Sequence, residues 1–417
     1  MQTAPAPINV LFTHFGDDWI RGSERCLLDL LRHLDPQRFR PFVWCNSPLL
    51  AAQLQALGVP VQLSAFPILF GWEAPLGDWR GYRRLVREGR GLIRAHQIGL
   101  LHANSGAPCQ WLSGLARELR LPLLAQLHAR YLLRERCTLR LHRVSLAVGV
   151  SQPVLDGLRA DGMPEQHLRV IANGIDLARL DQQSARDLRQ QLQLAPEERL
   201  LATVGSLIPR KGVDLLLHML QRLRQDGYPV RLAVIGDGPQ RQELQALAHS
   251  LGVQAWVHWL GEQSAPVGLL RAGVELYVSA AREEVFGLVL AEAASAGLAV
   301  VAPQVGGIAE VVLDGVTGLL VPAQSPLALV AAVQRLLDAP ALAAQMGAAG
   351  RLRVVQEFSA QLNAERLQEC YQQLLQQPAL APRSTHWWAC ARWLLRLLRR
   401  LWHWRRQRPL TAQELWQ

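Results

Sequence analysis

Residues 200–217 read LLATVGSLIPRKGVDLLL. The apolar run Leu200–Leu207 is continuous rather than alternating, as suits a strand covered on both faces of a parallel sheet. Gly205 and Pro209 punctuate its exit, and from Val213 to Asp226 the apolar residues return at helical spacing. One strand–turn–helix unit therefore sits in mid-chain, and the same unit recurs outward from it. Toward the amino terminus the runs are Ile8–Thr13, Phe39–Cys45, Val59–Ser64, Gly99–Asn104, Leu121–His128, Val144–Ser151 and Leu168–Ile175. Toward the carboxyl terminus they are Val230–Gly236, Ala255–Leu260, Leu276–Ala280, Ala299–Val305 and Gly318–Val321. The polar stretch Asp181–Glu198 starts no strand and is read as a linker. The expected fold class is α/β, with two doubly wound, Rossmann-like domains at 1–185 and 186–358. A further helix follows over 359–377, and a Trp/Arg-rich tail over 378–417.

The 417 residues are half apolar and 19% charged, with 43 Arg, a single Lys and a formal net charge of +10. This excludes a disordered or fibrous chain and provides for two domains with cores of their own. The charge is lopsided. Residues 383–417 hold eight Arg against Glu414, a net of +7, which leaves +3 for the other 382 residues. That distribution speaks against a generally basic nucleic-acid binder. Cys26, Cys45, Cys109, Cys137, Cys370 and Cys390 show no paired spacing, so neither a disulfide framework nor a zinc ribbon is supported. The opening residues lack a signal-peptide pattern, and no stretch reaches the roughly 18–20 uncharged apolar residues of a spanning helix. A cytoplasmic location is the expectation.

In open parallel α/β sheets, ligands bind where strand ends meet helix N-termini with free N–H groups. Four segments suit that place. In Gly205–Gly212 the one Lys of an Arg-rich chain, Lys211, follows Arg210 between two glycines. An ammonium is a compact point charge for a phosphate oxygen, whereas guanidinium prefers planar pairing. A solvated surface charge is the ordinary alternative, and the composition favours a diphosphate site. The stretch EEVFGLVLAE at 283–292 places Glu284 before a helix and Glu292 inside it. Its carboxylates suit sugar or ribose hydroxyls, and the N–H groups around Phe286, Gly287 and Leu288 suit an anion. Helix capping and solvation explain such a Glu pair as well. The exits VGGIAEVV at 305–312 and VIGDGP at 234–239, the latter carrying Gly238, are weak singly.

In order and spacing the four together resemble the retaining glycosyltransferases of the GT-B fold, family four. The family's Gly-x-Leu-x-Pro-x-Lys-Gly loop, its Gly-Asp-Gly-Pro turn and its two Glu separated by seven residues are matched at Gly205–Gly212, Gly236–Pro239 and Glu284–Glu292. Ile20–Arg25 resembles the family's Gly-Gly-x-Glu loop, and Ile171–Asp176 its Asn-Gly-Val-Asp hinge. The resemblance spans roughly residues 8–376. It implies two Rossmann-like domains facing a cleft, a helix over 359–377 that crosses between them, a nucleotide-sugar in the carboxy-terminal domain and an acceptor in the amino-terminal one. Catalytic roles would fall to His128, Glu284 and Lys211. Donor-binding roles would fall to Gly22, Gly205, Ser206, Arg210, Lys211, Gly238, Phe286, Gly287, Leu288 and Glu292. Lys211 would hold the diphosphate, Glu284 the donor sugar and Glu292 the ribose. Two departures stand out: Ser206 replaces the usual Arg after the loop glycine, and Arg21 replaces the first glycine of Gly-Gly-x-Glu. No Asp-x-Asp metal motif occurs, and no metal or other cofactor is expected, the nucleotide-sugar being substrate. For His128, His102 and His14, a hydrogen-bonded core role stands open beside a role in the site.

Plotted as a helix, Trp387–Trp404 puts Arg392, Arg396, Arg399, Arg400 and His403 in one arc of about 100°, opposite Leu394, Leu395, Leu398 and Leu401. With Trp388, Trp393 and Trp404 flanking the arc, this is the pattern of a helix in an anionic membrane interface, with residues 387–408 as the contact. Packing on the protein's own core or on a partner is the alternative. Arg80, Arg83, Arg84, Arg87 and Arg94 form a second basic stripe, readable as lipid-docking or as a solvated face. The expected partners are a nucleotide-sugar donor, a glycan or lipid-linked acceptor and an anionic membrane surface, and no nucleic acid. A nucleotide-sugar 2-epimerase of the same architecture, a non-catalytic membrane scaffold, and single-strand binding by the tail remain as rival readings.

Overall fold

The computed structural model describes residues 6–69 and 77–376. The membrane-interface reading of residues 387–408 therefore lies outside the described residues. Two units emerge, one running to Ile171 and resuming at Glu365, the other spanning Ala172–Ala364.

The first unit is built on seven parallel strands: β1 (Ile8–His14), β2 (Phe39–Cys45), β3 (Val61–Leu63), β4 (Ile98–Ala103), β5 (Leu123–Leu127), β6 (Leu146–Gly149) and β7 (Leu168–Val170). Their order is β3-β2-β1-β4-β5-β6-β7. The second has six: β8 (Arg199–Val204), β9 (Val230–Ile235), β10 (Val257–Gly261), β11 (Leu276–Val278), β12 (Ala299–Pro303) and β13 (Gly318–Val321), ordered β10-β9-β8-β11-β12-β13. Each strand lies within or against one of the apolar runs read from the sequence. Continuous runs are what two covered faces demand: Val10, Leu11 and Phe12 in β1, like Leu200, Leu201 and Ala202 in β8, are fully buried in succession. In each sheet the chain builds outward on one side of its first strand, then restarts on the other. The strand order thus reverses between β1 and β4 and between β8 and β11, and ligand crevices of such sheets open there, beyond the carboxyl ends of the strands.

By packing the units divide after Ile171, ahead of the expected boundary at 185. The polar stretch is no free linker. Arg186 N–H donates to the Gly268 carbonyl (3.0 Å), Arg271 pairs with Asp181 (2.6 Å) and Arg189 with Glu275 (2.9 Å). Its polar side chains and its backbone are both tied into the second unit. The helix Ala360–Gln376 passes at Glu365 into the first unit. There Tyr371 is buried edge-on against Phe39, with ring centroids 5.3 Å apart, and its hydroxyl meets His102 Nδ1 at 2.6 Å. No single helix among the described residues is long and apolar enough to cross a membrane.

Candidate functional site

At the β8/β11 reversal, two strand-exit loops carry the site of the second unit. The first is the loop 205–212, leading into the helix Val213–Gln225. The second runs over 279–287 into the helix Leu288–Ser295. A bidentate ion pair clasps them: Arg282 Nη1 donates to Asp214 Oδ1 (2.8 Å) and Nη2 to Oδ2 (2.6 Å), while Nη1 also reaches the Pro209 carbonyl (2.8 Å). Arg282 N–H donates to the Arg210 carbonyl at 2.8 Å. The fork geometry fits Arg to carboxylate, and the hydrogen bonds from Arg282 lower the Asp214 pKa. The clasp brings Lys211 Nζ to 2.5 Å from Glu284 Oε2, across 73 residues of sequence.

Glu284 is fixed from a third side. Its carbonyl accepts from Gly307 N–H at 3.1 Å, and Gly306, at φ +53°, packs so closely that a Cβ would lie 1.7 Å from that same oxygen. The Gly-Gly exit after β12 thus holds the Glu284 backbone. Gly238 serves similarly after β9: a Cβ there would meet the Leu207 carbonyl at 2.5 Å, so this glycine lets its turn pack on the 205–212 loop. Phe286 is buried edge-to-face on Phe358, centroids 5.7 Å apart, which anchors the start of the helix Leu288–Ser295. The first N–H groups of that helix, following Gly287, have no intrahelical acceptor and carry the positive end of its dipole. Beneath the loops lies buried Tyr277, whose hydroxyl accepts from Val204 N–H (3.3 Å). Burial raises its pKa, and the charges of Glu284 and Glu292 add to that, which puts both carboxylates within electrostatic reach of one phenol. Gly205, Ser206, Lys211 and Tyr277 line one pocket. Arg210 is exposed and does not line it.

The β1/β4 reversal of the first unit carries a second polar cluster. His14 ends β1 and places Nε2 2.9 Å from Glu24 Oε1. Glu24 sits in the helix Gly22–Arg32, whose exposed first residue is Gly22. Asn104 follows β4 and holds Nδ2 3.0 Å from His14 Nδ1, and its Oδ1 lies 3.4 Å from Nε2 of His128, just past β5. Burial alone would raise the Glu24 carboxyl, but its hydrogen bond with His14 and those from backbone N–H groups hold it at about 2. Burial pushes His128 down to about 4; a charge on His14 would lower it further and Glu24 opposes the fall.

His102 goes to the core, its ring tilted against Phe12 with centroids 4.9 Å apart and bonded to Tyr371. Phe66 is buried against Trp44 and Trp111. The second basic stripe is one face of the helix Trp79–Ala95: Gly81, Leu85, Gly89 and Ile93 are buried while Arg80, Arg83, Arg84, Arg87 and Arg94 are exposed. Sequence reasoning missed Arg282, Asp214, Tyr277 and Asn104 as parts of these clusters. A bidentate pair formed 68 residues apart leaves no local pattern to find.

Comparison with known proteins follows this geometry. The family model described as "Glycosyl transferases group 1" matches residues 184–353, and that described as "Glycosyltransferase Family 4" matches residues 20–179. The D-inositol 3-phosphate glycosyltransferase of Segniliparus rotundus is 33% identical over 222 residues, 52% of this chain and 49% of the relative. The GDP-mannose-dependent alpha-(1-6)-phosphatidylinositol monomannoside mannosyltransferase of Mycolicibacterium smegmatis is 32% identical over 216 residues, 49% of this chain and 56% of the relative. The chain thus spans about half the length of these curated relatives. Anabaena HepE, solved in complex with UDP and glucose, superposes with a TM-score of 0.74 at 22% identity, over 88% of this chain and 100% of that one. The two parallel sheets are those of the GT-B fold.

Proposed function

The chain belongs to the group 1, family 4 glycosyltransferases, and from that premise we propose that it moves a hexosyl group from a nucleotide-sugar to a glycan or lipid-linked acceptor, with retention and without a metal. The observation that carries this is the meeting of Lys211 and Glu284 at the β8/β11 reversal. A cation for the diphosphate stands beside a carboxylate that accepts sugar hydroxyls. Lys211 and the N–H groups from Phe286 to Leu288 stabilise charge on the departing diphosphate, the work otherwise given to a metal ion. By the family's motifs Glu292 would take the ribose, Gly22 would leave room for phosphate at a helix start, and His128 would serve the reacting sugar. The anomeric carbon–phosphate oxygen bond breaks as the acceptor oxygen bonds the same carbon on the same face. The acceptor proton passes to the departing phosphate oxygen.

Similarity to a mannosyltransferase acting on a phosphatidylinositol monomannoside supports a lipid-linked acceptor. The tail at 387–408 suits an enzyme seated on the cytoplasmic face of an anionic membrane. Turnover with a panel of nucleotide-sugars is to be followed by NMR of the anomeric proton in excess EDTA. Product with the donor's anomeric configuration is expected; inversion, or activity restored only by magnesium or manganese, would overturn the mechanism. Flotation of the chain with phosphatidylglycerol vesicles tests the seat, and equal flotation after replacing Arg392, Arg396, Arg399 and Arg400 by Glu would refute it.

A further inference from the structure

We propose that Glu24, His14 and Asn104 are positioning residues for His128, a buried relay that decides which nitrogen of that imidazole carries its proton. The inference rests on the reading above that His128 stands beside the reacting sugar. Four elements converge on it: His14 from the end of β1, Glu24 from the following helix, Asn104 from the exit of β4 and His128 from the exit of β5. The first three are sealed, at 1%, 2% and 0% exposure, while His128 is partly open to solvent.

The hydrogen bonds run in one sense only. Glu24 is ionised and accepts at both oxygens, Oε2 from Arg21 N–H (3.1 Å) and Oε1 from Ser23 Oγ (3.0 Å) as well as from His14 (2.9 Å). A carboxylate cannot donate, so a proton of His14 resides on Nε2, and the Asn104 Nδ2 group that faces Nδ1 requires a lone pair there. Asn104 turns Nδ2 toward that lone pair at 3.0 Å and toward the Ser23 carbonyl at 3.2 Å, which fixes the orientation of the amide. Its Oδ1 is left to face His128 Nε2 at 3.4 Å, and an amide oxygen only accepts. His128 therefore bears its proton on Nε2 and keeps Nδ1 as a bare lone pair, able to receive a sugar hydroxyl. The titratable groups facing His128 are His14 from β1, Glu24 from the helix and His102 from β4. Burial keeps the ring neutral near neutral pH, so its work depends on tautomer rather than on charge.

The native full-length chain with 15N-labelled histidine gives the direct test, with His128 assigned by the resonance lost in His128→Asn. Nitrogen shifts of the Nε2–H form are expected at pH 7.5; the Nδ1–H form would overturn the relay. Asn104→Asp offers an acceptor-only carboxylate to His128, so the acid limb of kcat/KM should rise by one pH unit or more. The rise should vanish when His128→Asn is added, and an unmoved limb, or one that moves alike in both, would count against the proposal. Glu24→Gln should lower turnover at least tenfold with nucleotide affinity within twofold of native, and should cost nothing further in the His128→Asn background. Additive losses would mean that Glu24 acts elsewhere. If no nucleotide-sugar is turned over, the assigned reaction fails, while the nitrogen shifts still decide the relay.

Discussion

Gly306→Ala tests whether the turn after β12 sets the position of Glu284. Gly306 has φ +53°, and a Cβ built on it lies 1.7 Å from the Glu284 carbonyl oxygen. Contacts below 3.0 Å are essentially never seen, so the two backbones must part by about 1.3 Å. A left-handed Ala costs in addition about 1–2 kcal/mol. A displacement of about 1 Å at a positioning group lowers turnover about 10²-fold, or about 2.7 kcal/mol of barrier. Gly315→Ala is the control: its φ is +72° and nothing lies within 4 Å of the new Cβ, so it bears the backbone strain alone. Both variants are to be compared by kcat with saturating nucleotide-sugar, nucleotide affinity and thermal unfolding. The left-handed strain should lower Tm in both, and only Gly306→Ala should lose turnover by two orders of magnitude. Turnover within threefold of native in Gly306→Ala would refute the claim that this turn holds Glu284 in place for the proposed reaction.

Three further outcomes are expected. Lys211→Ala should raise the barrier by about 3 kcal/mol or more, as loss of one preorganised charge stabiliser does, and a near-native rate would remove Lys211 from the chemistry. Arg282→Ala breaks a pair whose members are each about 30% exposed, so solvent screening holds its stability cost to about 1 kcal/mol or less. KM for the donor should nonetheless rise about tenfold as the two loops separate, and an unchanged KM would show that the clasp is incidental. Burial depresses His102 to about 3 and His128 to about 4 in the folded chain, below the 6.5 of an unfolded histidine. The unfolded chain then binds more protons, so their contribution is whole above pH 6.5 and is lost as pH falls toward 4. Urea midpoints at pH 7.5, 6, 5 and 4 should decline in that order; a flat series would contradict the depressed pKa of both rings.

The strands were legible because a parallel strand covered on both faces leaves an unbroken apolar run, and β1 or β8 has no solvent face to interrupt it. The packing of the polar stretch was not, because hydropathy reports side chains. Residues 181–198 are polar outside yet bonded through backbone and ion pairs to Gly268, Arg271 and Glu275, and no periodicity records a bond from Arg186 N–H to a distant carbonyl. Within the site, glycine spacing and the single Lys pointed to Lys211 and Glu284 separately, whereas their 2.5 Å contact is a property of the sheet. Only an order that sets β11 beside β8 brings loops 73 residues apart edge to edge.

The same constraint explains why the supporting residues were silent. Arg282, Asp214 and Asn104 have meaning only across a strand-order reversal, where two exits diverge and open a crevice that the chain must brace from both sides. On the proposed reading, a crevice that presents N–H groups and the Lys211 ammonium to a diphosphate carries excess positive charge. Glu284 balances it against Lys211, while Arg282, committed to Asp214, braces the loops without adding to the excess. Arg282, which holds the loops, is committed to Asp214 in a planar pair, whereas on the proposed reading the Lys211 ammonium is the point charge that follows an oxygen as it departs.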